Sequence, residues 1–142
     1  MAIALHVRVL DLDGTISDDR WRLPLIDLTA DDPWHRYHNV CQHDPYINRH
    51  LTAYHSLVIV TSRPERLRHE THTWLQAHGI AYLALLMRPD ACRCESSALK
   101  PRLLTRYRAQ SPISLESIHD NDPAVLAGYR AVFPEIRLCL VS

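Results

Sequence analysis

Glycine is scarce, with only three in 142 residues. No Gly-rich phosphate loop ending in lysine can be drawn from the chain, which excludes kinase chemistry built on that loop. Cysteine is sparse and scattered: Cys41, Cys92, Cys94 and Cys139 include one Cys-x-Cys pair and no second pair. That pattern argues against a disulfide framework and against a structural zinc site. Charge of either sign is not in excess, since 16 basic residues balance 16 acidic ones. A broad positive field that gathers long nucleic acid is therefore absent, whereas a nucleotide or a nucleic-acid end stays within reach. Long apolar runs are missing too, so no membrane span is expected. His6 and Arg8 interrupt the first apolar run, which spoils a secretory leader and points to a cytoplasmic protein with reduced thiols. Ten histidines include His35 with His38 and His69 with His72 at three-residue spacing. Neither pair belongs to a His-Glu-x-x-His motif, and both read as polar helix surface.

What is present is an alternation. Ile3 to Leu10 is aliphatic and stops at Asp11-Leu12-Asp13-Gly14-Thr15, a buried strand running into a tight loop. Leu57 to Val60 ends at Thr61-Ser62-Arg63, and Pro64 suits the first turn of a helix carrying Leu67, Thr71, Trp74, Leu75 and His78, with Gly79 as its stop. Ala81 to Met87 is a third strand, followed by a helix starting near Pro101 with Leu103, Leu104 and Tyr107. Ser117 to His119 leads into Asp120-Asn121-Asp122-Pro123, where Asp122 suits an N-cap for a helix bearing Val125, Leu126 and Tyr129. Ile136 to Val141 is a last strand. Strands alternating with helices at this pitch predict an α/β fold: a Rossmann-like three-layer sandwich with a central parallel sheet of about five strands.

The length suits one domain over 1–142. One interval, Ser17 to His55, is too long for a simple crossover. A helix around Asn48 to Tyr54 is expected to lead back to the second strand, leaving a small cap-like insert at about 17–47.

In open parallel sheets ligands bind beyond the carboxyl ends of the strands, and here those ends carry Asp11 and Asp13, Thr61 to Arg63, and Asp120 with Asp122. Lys100 lies between them. Hard oxygen donors of this kind suit magnesium, which accepts one or two carboxylates together with waters and a phosphate oxygen. A phosphate ester is the natural substrate for such a set.

Asp11-Leu12-Asp13-Gly14-Thr15 after an apolar strand resembles the first signature motif of the haloacid dehalogenase superfamily. Thr61, Lys100 and Asp120 resemble its second, third and fourth motifs in order, so the likeness spans nearly the whole chain. The resemblance implies a magnesium-dependent phosphohydrolase in which Asp11 is the nucleophile that forms an aspartyl-phosphate. Asp13 would be the general acid and then the base, and Thr61 and Lys100 would bind phosphate oxygens. Asp11, the Asp13 carbonyl and Asp120 would hold Mg2+. The chain departs from the pattern at Asn121, where a second acidic residue is common. Blander roles remain open: Thr61 as a helix cap, Lys100 as a solvated lysine and Asp122 as an N-cap alone.

Within the superfamily the chain is similar to the phosphatase module of polynucleotide kinase-phosphatases, on Thr61-Ser62-Arg63-Pro64, Thr73 to Leu75 with Gly79-Ile80, Leu85 to Arg88 and Leu99-Lys100-Pro101. That implies removal of a 3′-phosphate from a nucleic-acid end or a nucleotide. Ser62, Arg63 and Arg88 become substrate-binding candidates, with ordinary surface arginines as the alternative. Trp21, Arg22, Trp34, His35 and Tyr37 either stack on a base or form the insert's own small core. A 5′-nucleotidase or general small-phosphoester phosphatase would use the same catalytic set. A receiver-type phosphoacceptor domain carries its aspartate on a middle strand of the sequence rather than the first, and an inactive binding module would not need all four motif residues. Whether the chain acts as a monomer or a homo-oligomer is open from the sequence.

Overall fold

The structure is a computed structural model and describes residues 5–53 and 55–142. Ile3 and Ala4 of the expected first strand, and Tyr54, lie outside them. Five strands form one sheet: β1 (Leu5–Leu10), β2 (Ser56–Pro64), β3 (Ala84–Arg88), β4 (Ile113–Asp120) and β5 (Arg137–Leu140). All are parallel, in the order β3-β2-β1-β4-β5. The α/β sandwich expected from the alternation is the observed fold. Because β2 lies on one side of β1 and β4 on the other, the connections diverge at the carboxyl end of β1, which is where such sheets open a crevice.

Strand periodicity fills both faces. Along β2, Leu57 and Ile59 point into one core with Leu10, Leu12, Trp74 and Leu75, while Val58 and Val60 point into the other with Val7, Val9, Leu104, Val125 and Tyr129. Each such aliphatic side chain contributes about 1.5–3 kcal/mol when fully buried. The first core is covered by α2 (Arg68–Ala77) and the second by α3 (Ser96–Gln110) and α4 (Pro123–Val132). Asp122 caps α4 as expected, accepting from the Ala124 N–H at 2.9 Å with Pro123 in the first turn.

Three helix expectations are corrected. Pro64 is not itself in the first turn of a helix: its ψ of 151° is extended and it pairs with Arg88 of β3, but it stands at the N-cap of a 3-10 turn, Glu65–Leu67, that leads straight into α2 at Arg68. Pro101 lies inside α3, which begins at Ser96. A proline there leaves the carbonyl four residues back without its helical donor. That carbonyl, Ser97 O, faces α4 so closely that a Cβ on Gly128 would meet it at 2.1 Å, so the gap left by Pro101 is the point where the two helices approach. Between Asn48 and Tyr54 the described residues form only a single 3-10 turn, Arg49–Leu51. Asn48 adopts a left-handed φ of 51°, its amide donates to the Thr15 carbonyl at 2.8 Å, and among the described residues of this stretch Leu51 is the one buried apolar side chain.

The stretch after β1 folds as an irregular layer containing a 3-10 turn at Arg20–Leu25, the short α1 (His35–Asn39) and a second turn at Cys41–His43. Its two ends meet at a neck, where Ser17 bridges Tyr46, Asp18 N–H donates to Pro45 O at 2.9 Å and Ile47 N–H to Ile16 O at 2.9 Å.

Candidate active site

Asp11 follows the last residue of the central strand, and its N–H donates to the His119 carbonyl of β4 at 3.0 Å. The loop behind it is tied down: the N–H groups of Thr15, Ile16 and Ser17 all converge on the Leu12 carbonyl at 3.0 Å. Gly14 turns this loop with φ of +81°, a conformation that disfavours side chains, and a Cβ there would meet the end of the Asn121 side-chain amide at 2.2 Å.

Lys100 connects the sites on β1 and β4. Its Nζ donates to Asp11 Oδ1 at 2.8 Å and to Asp120 Oδ2 at 2.7 Å, with all three side chains buried. Burial pushes the Asp11 carboxyl up to about 7 despite the pull of Lys100. Burial also disfavours charge on Lys100, but Asp11 and Asp120 more than offset it and hold the ammonium above its ordinary range. The solvated-lysine alternative is thereby removed.

Asn121, with its amide nitrogen turned inward, donates to the Asp13 carbonyl at 3.1 Å and to Asp11 Oδ2 at 2.9 Å. The two carboxylates and that carbonyl therefore surround one small volume. Among the described residues no group of three or more His, Cys, Asp or Glu side chains is placed to hold a metal. Two carboxylates and a carbonyl, all hard oxygens, nevertheless fit the sparse protein set that Mg2+ takes alongside waters and a phosphate.

The Asp13 carboxylate does not face this volume alone. Arg63 approaches it with Nη2 at 2.7 Å and Nε at 3.2 Å, and Arg22 Nη2 lies 2.5 Å from the same Oδ1. Burial would raise Asp13, but Arg63 and then Arg22 hold it well below the usual carboxylate range. Both guanidiniums are wholly buried and share a second carboxylate, Asp44, which takes Arg22 at 2.8 and 2.7 Å and Arg63 at 3.5 Å. Asp44 also accepts from Trp21 Nε1 at 2.9 Å through its carboxylate and from Trp74 Nε1 at 2.8 Å through its backbone carbonyl. The surface-arginine alternative is therefore excluded for Arg63.

The remaining expected residues are placed as follows. Thr61 is buried within β2 and accepts from the Arg63 N–H at 3.1 Å, so it caps no helix. Ser62 Oγ shares a 2.5 Å hydrogen bond with Ser96 Oγ at the start of α3. Arg88 donates to the carbonyls of Ser62 at 3.1 Å and Cys94 at 2.6 Å, which fastens the loop between β3 and α3 beside the site. Within the insert, Arg22 and Tyr37 are buried, with the guanidinium 4.1 Å over the ring, while Trp21 and Trp34 each remain 46% exposed. The insert is thus part core and part surface. His69 and His72 are exposed as expected, but His38 is not simple helix surface: burial pushes its imidazole down to about 4, and its Nδ1 has no partner among the described residues.

Asp44 is the residue that sequence reasoning missed, and Arg22, expected to stack on a base or to pack within the insert, was not foreseen as a partner of Asp13. The only signal was that Arg22 sat in the aromatic-rich insert directly after the Asp11–Thr15 loop.

No family model matches the chain, and no curated protein matches it. Among solved structures it is similar to a chain of the Pnkp1/Rnl/Hen1 RNA repair complex, with a TM-score of 0.73 at 19% identity over 98% of this chain and 42% of that one. A second structure of the Pnkp1/Rnl/Hen1 complex gives 0.74 at 18% identity over 100% of this chain and 48% of that one. The chain spans less than half the length of these neighbours, and at such identities what it shares with them is the fold.

Proposed function

We propose that the chain is a magnesium-dependent phosphohydrolase that removes 3′-phosphate from nucleic-acid ends through an aspartyl-phosphate on Asp11. The observation that carries this reading is the Asp11–Lys100–Asp120 array at the carboxyl end of the central strand, at 2.8 and 2.7 Å. A buried carboxylate beside a cation and a second carboxylate is an arrangement for bringing a nucleophile and a phosphate together. The resemblance of the surrounding motifs to haloacid dehalogenase phosphatases supports it, and the fold neighbour in an RNA repair complex supports a nucleic-acid substrate.

In the first step an Asp11 oxygen attacks phosphorus, the bond to the 3′-oxygen breaks, and Asp13 gives that oxygen a proton. In the second, Asp13 takes a proton from water, whose oxygen attacks phosphorus and releases inorganic phosphate and free Asp11. Lys100 and Thr61 bind equatorial oxygens. Asp11, the Asp13 carbonyl and Asp120 would hold Mg2+, which supplies positive charge against the repulsion between carboxylate and phosphate. Asn121 orients Asp11 and the Asp13 carbonyl.

Arg22 and Arg63 fix the state of the acid. While both grip Asp13 it stays ionised and cannot donate. A phosphate dianion at Asp11 brings negative charge beside Asp13, which raises its affinity for a proton.

The test is phosphate release with and without Mg2+ from an oligonucleotide 3′-phosphate, its 5′-phosphate isomer and nucleoside monophosphates. Magnesium-dependent preference for the 3′-phosphate end supports the proposal. Preference for mononucleotides replaces it with the nucleotidase, and silence on every substrate leaves the binding module.

A further inference from the structure

Trp21 differs from the other two tryptophans of the chain. Trp74 is buried, and Trp34 packs its ring edge-on against Tyr37 at 5.5 Å and beside His38. Trp21 has no ring partner among the described residues and is 46% exposed, yet it is not loose. Its Nε1 donates to Asp44 Oδ1 at 2.9 Å, and the same oxygen accepts from Arg22 Nε at 2.8 Å. Arg22 in turn holds Asp13. One carboxylate therefore fixes both an indole at the surface and the guanidinium that governs the catalytic acid.

A half-exposed aromatic plane immobilised in advance is a poor use of a tryptophan in a surface turn but a good platform for a flat ligand, because ordering it on binding costs little further entropy. Its neighbours are already engaged, Arg20 with Asp18 and the buried Arg22 with Asp13 and Asp44, so what this turn offers a ligand is the indole face. We propose that Trp21 is a specificity-determining residue that stacks on the heterocyclic base of the 3′-terminal nucleotide while that nucleotide's phosphate lies at Asp11. This rests on the phosphatase reading and deepens it: the substrate is recognised as a base-bearing end, not as a bare phosphomonoester.

The experiment compares wild type, Trp21→Ala and Trp21→Phe on a short oligonucleotide 3′-phosphate and on the same strand whose last nucleotide lacks its base. Base–aromatic stacking predicts that Trp21→Ala raises KM on the base-bearing end by roughly 10-fold, with kcat nearly kept. Trp21→Phe, which keeps a ring but loses the bond to Asp44, should stay within about 3-fold of wild type. On the abasic end all three proteins should perform alike. A parallel fluorescence titration with the Asp11→Asn protein should show indole quenching by the base-bearing strand, removed by adding Trp21→Ala.

Equal losses on both strands would assign Trp21 a structural role through Asp44 and overturn the proposal, as would turnover indifferent to Trp21. Quenching that depends on Trp21 without any turnover would keep the stacking site and remove the phosphatase reading. Neither quenching nor turnover would remove both.

Discussion

Arg22 and Asp13 stand nine residues apart and meet at 2.5 Å with the guanidinium wholly buried, so the turn that opens the insert reaches back onto the loop that follows β1. The second carboxylate on that guanidinium, Asp44, closes the insert 22 residues further on. Asp13 is thus held from two sides, by Arg63 of β2 and by Arg22 from a segment that contributes nothing to the sheet.

Replacing Arg22 by Met should expose this dependence. The buried Asp44 and the partly buried Asp13 would lose a shared partner, and breaking a fully buried pair typically costs about 3–5 kcal/mol, an upper bound here. Urea unfolding should show that loss, and turnover should fall further than stability accounts for. Arg22→Lys keeps the charge but not the fork, so it should recover stability in part and little of kcat.

Asp11→Asn should abolish turnover while leaving the fold intact, and its stability should depend on pH in a defined direction. Folded Asp11 keeps its proton to about pH 7, whereas the unfolded chain releases it near the ordinary 3.8. Between those values the folded state binds more protons, so the contribution of Asp11 to stability declines as pH rises. Asp13 behaves oppositely: held below the usual carboxylate range, its contribution is complete above that range and is lost as pH falls through it. The variant removes only the first effect. Measured without metal, its stability relative to wild type should grow from pH 4 to pH 8; a difference flat across that range would contradict a raised Asp11.

Gly14→Ala combines two faults, a side chain at φ of +81° and a Cβ 2.2 Å from the end of the Asn121 side-chain amide. Left-handed strain of this kind costs about 1–3 kcal/mol. Thermal unfolding should register it, and pairing the change with Asn121→Ala should relieve the collision while leaving the backbone strain, so that recovery is partial.

Asn121→Asp tests the one departure from the acidic fourth motif. A carboxylate there would replace a donor to Asp11 by a repelling charge, so the metal-free protein should melt at a lower temperature. Added Mg2+ should restore more stability than it gives wild type, and half-saturation for activity should come at lower Mg2+. Calorimetry in both states checks this.

The strand ends were legible because apolar runs stop abruptly at polar residues, and an all-parallel sheet puts every such stop on one edge. The placing of Asp11 and Asp120 at strand ends follows from that logic, whereas the order of the strands does not. Lys100 was legible in order but misplaced locally, since Pro101 reads as a helix start and only the approach of Gly128 to the Ser97 carbonyl explains a proline inside α3. Arg63 and Arg22 were visible as residues but not as a pair. Arg63 and Asp13 are 50 positions apart, and no local pattern announces that both guanidiniums leave water to share one carboxylate. His38 shows the same limit from the opposite direction, because three-residue spacing describes a helix face without saying what lies against it.

The neck at Ser17 and Tyr46 makes the intervening stretch a cassette. A loop whose ends already meet can be exchanged for a longer or shorter one without altering the course of β1 or β2, so Asp11 and Lys100 keep their places under a different lid. Asp13 does not keep all of its surroundings: a transplanted lid that lacks counterparts of Arg22 and Asp44 would leave it to Arg63 alone.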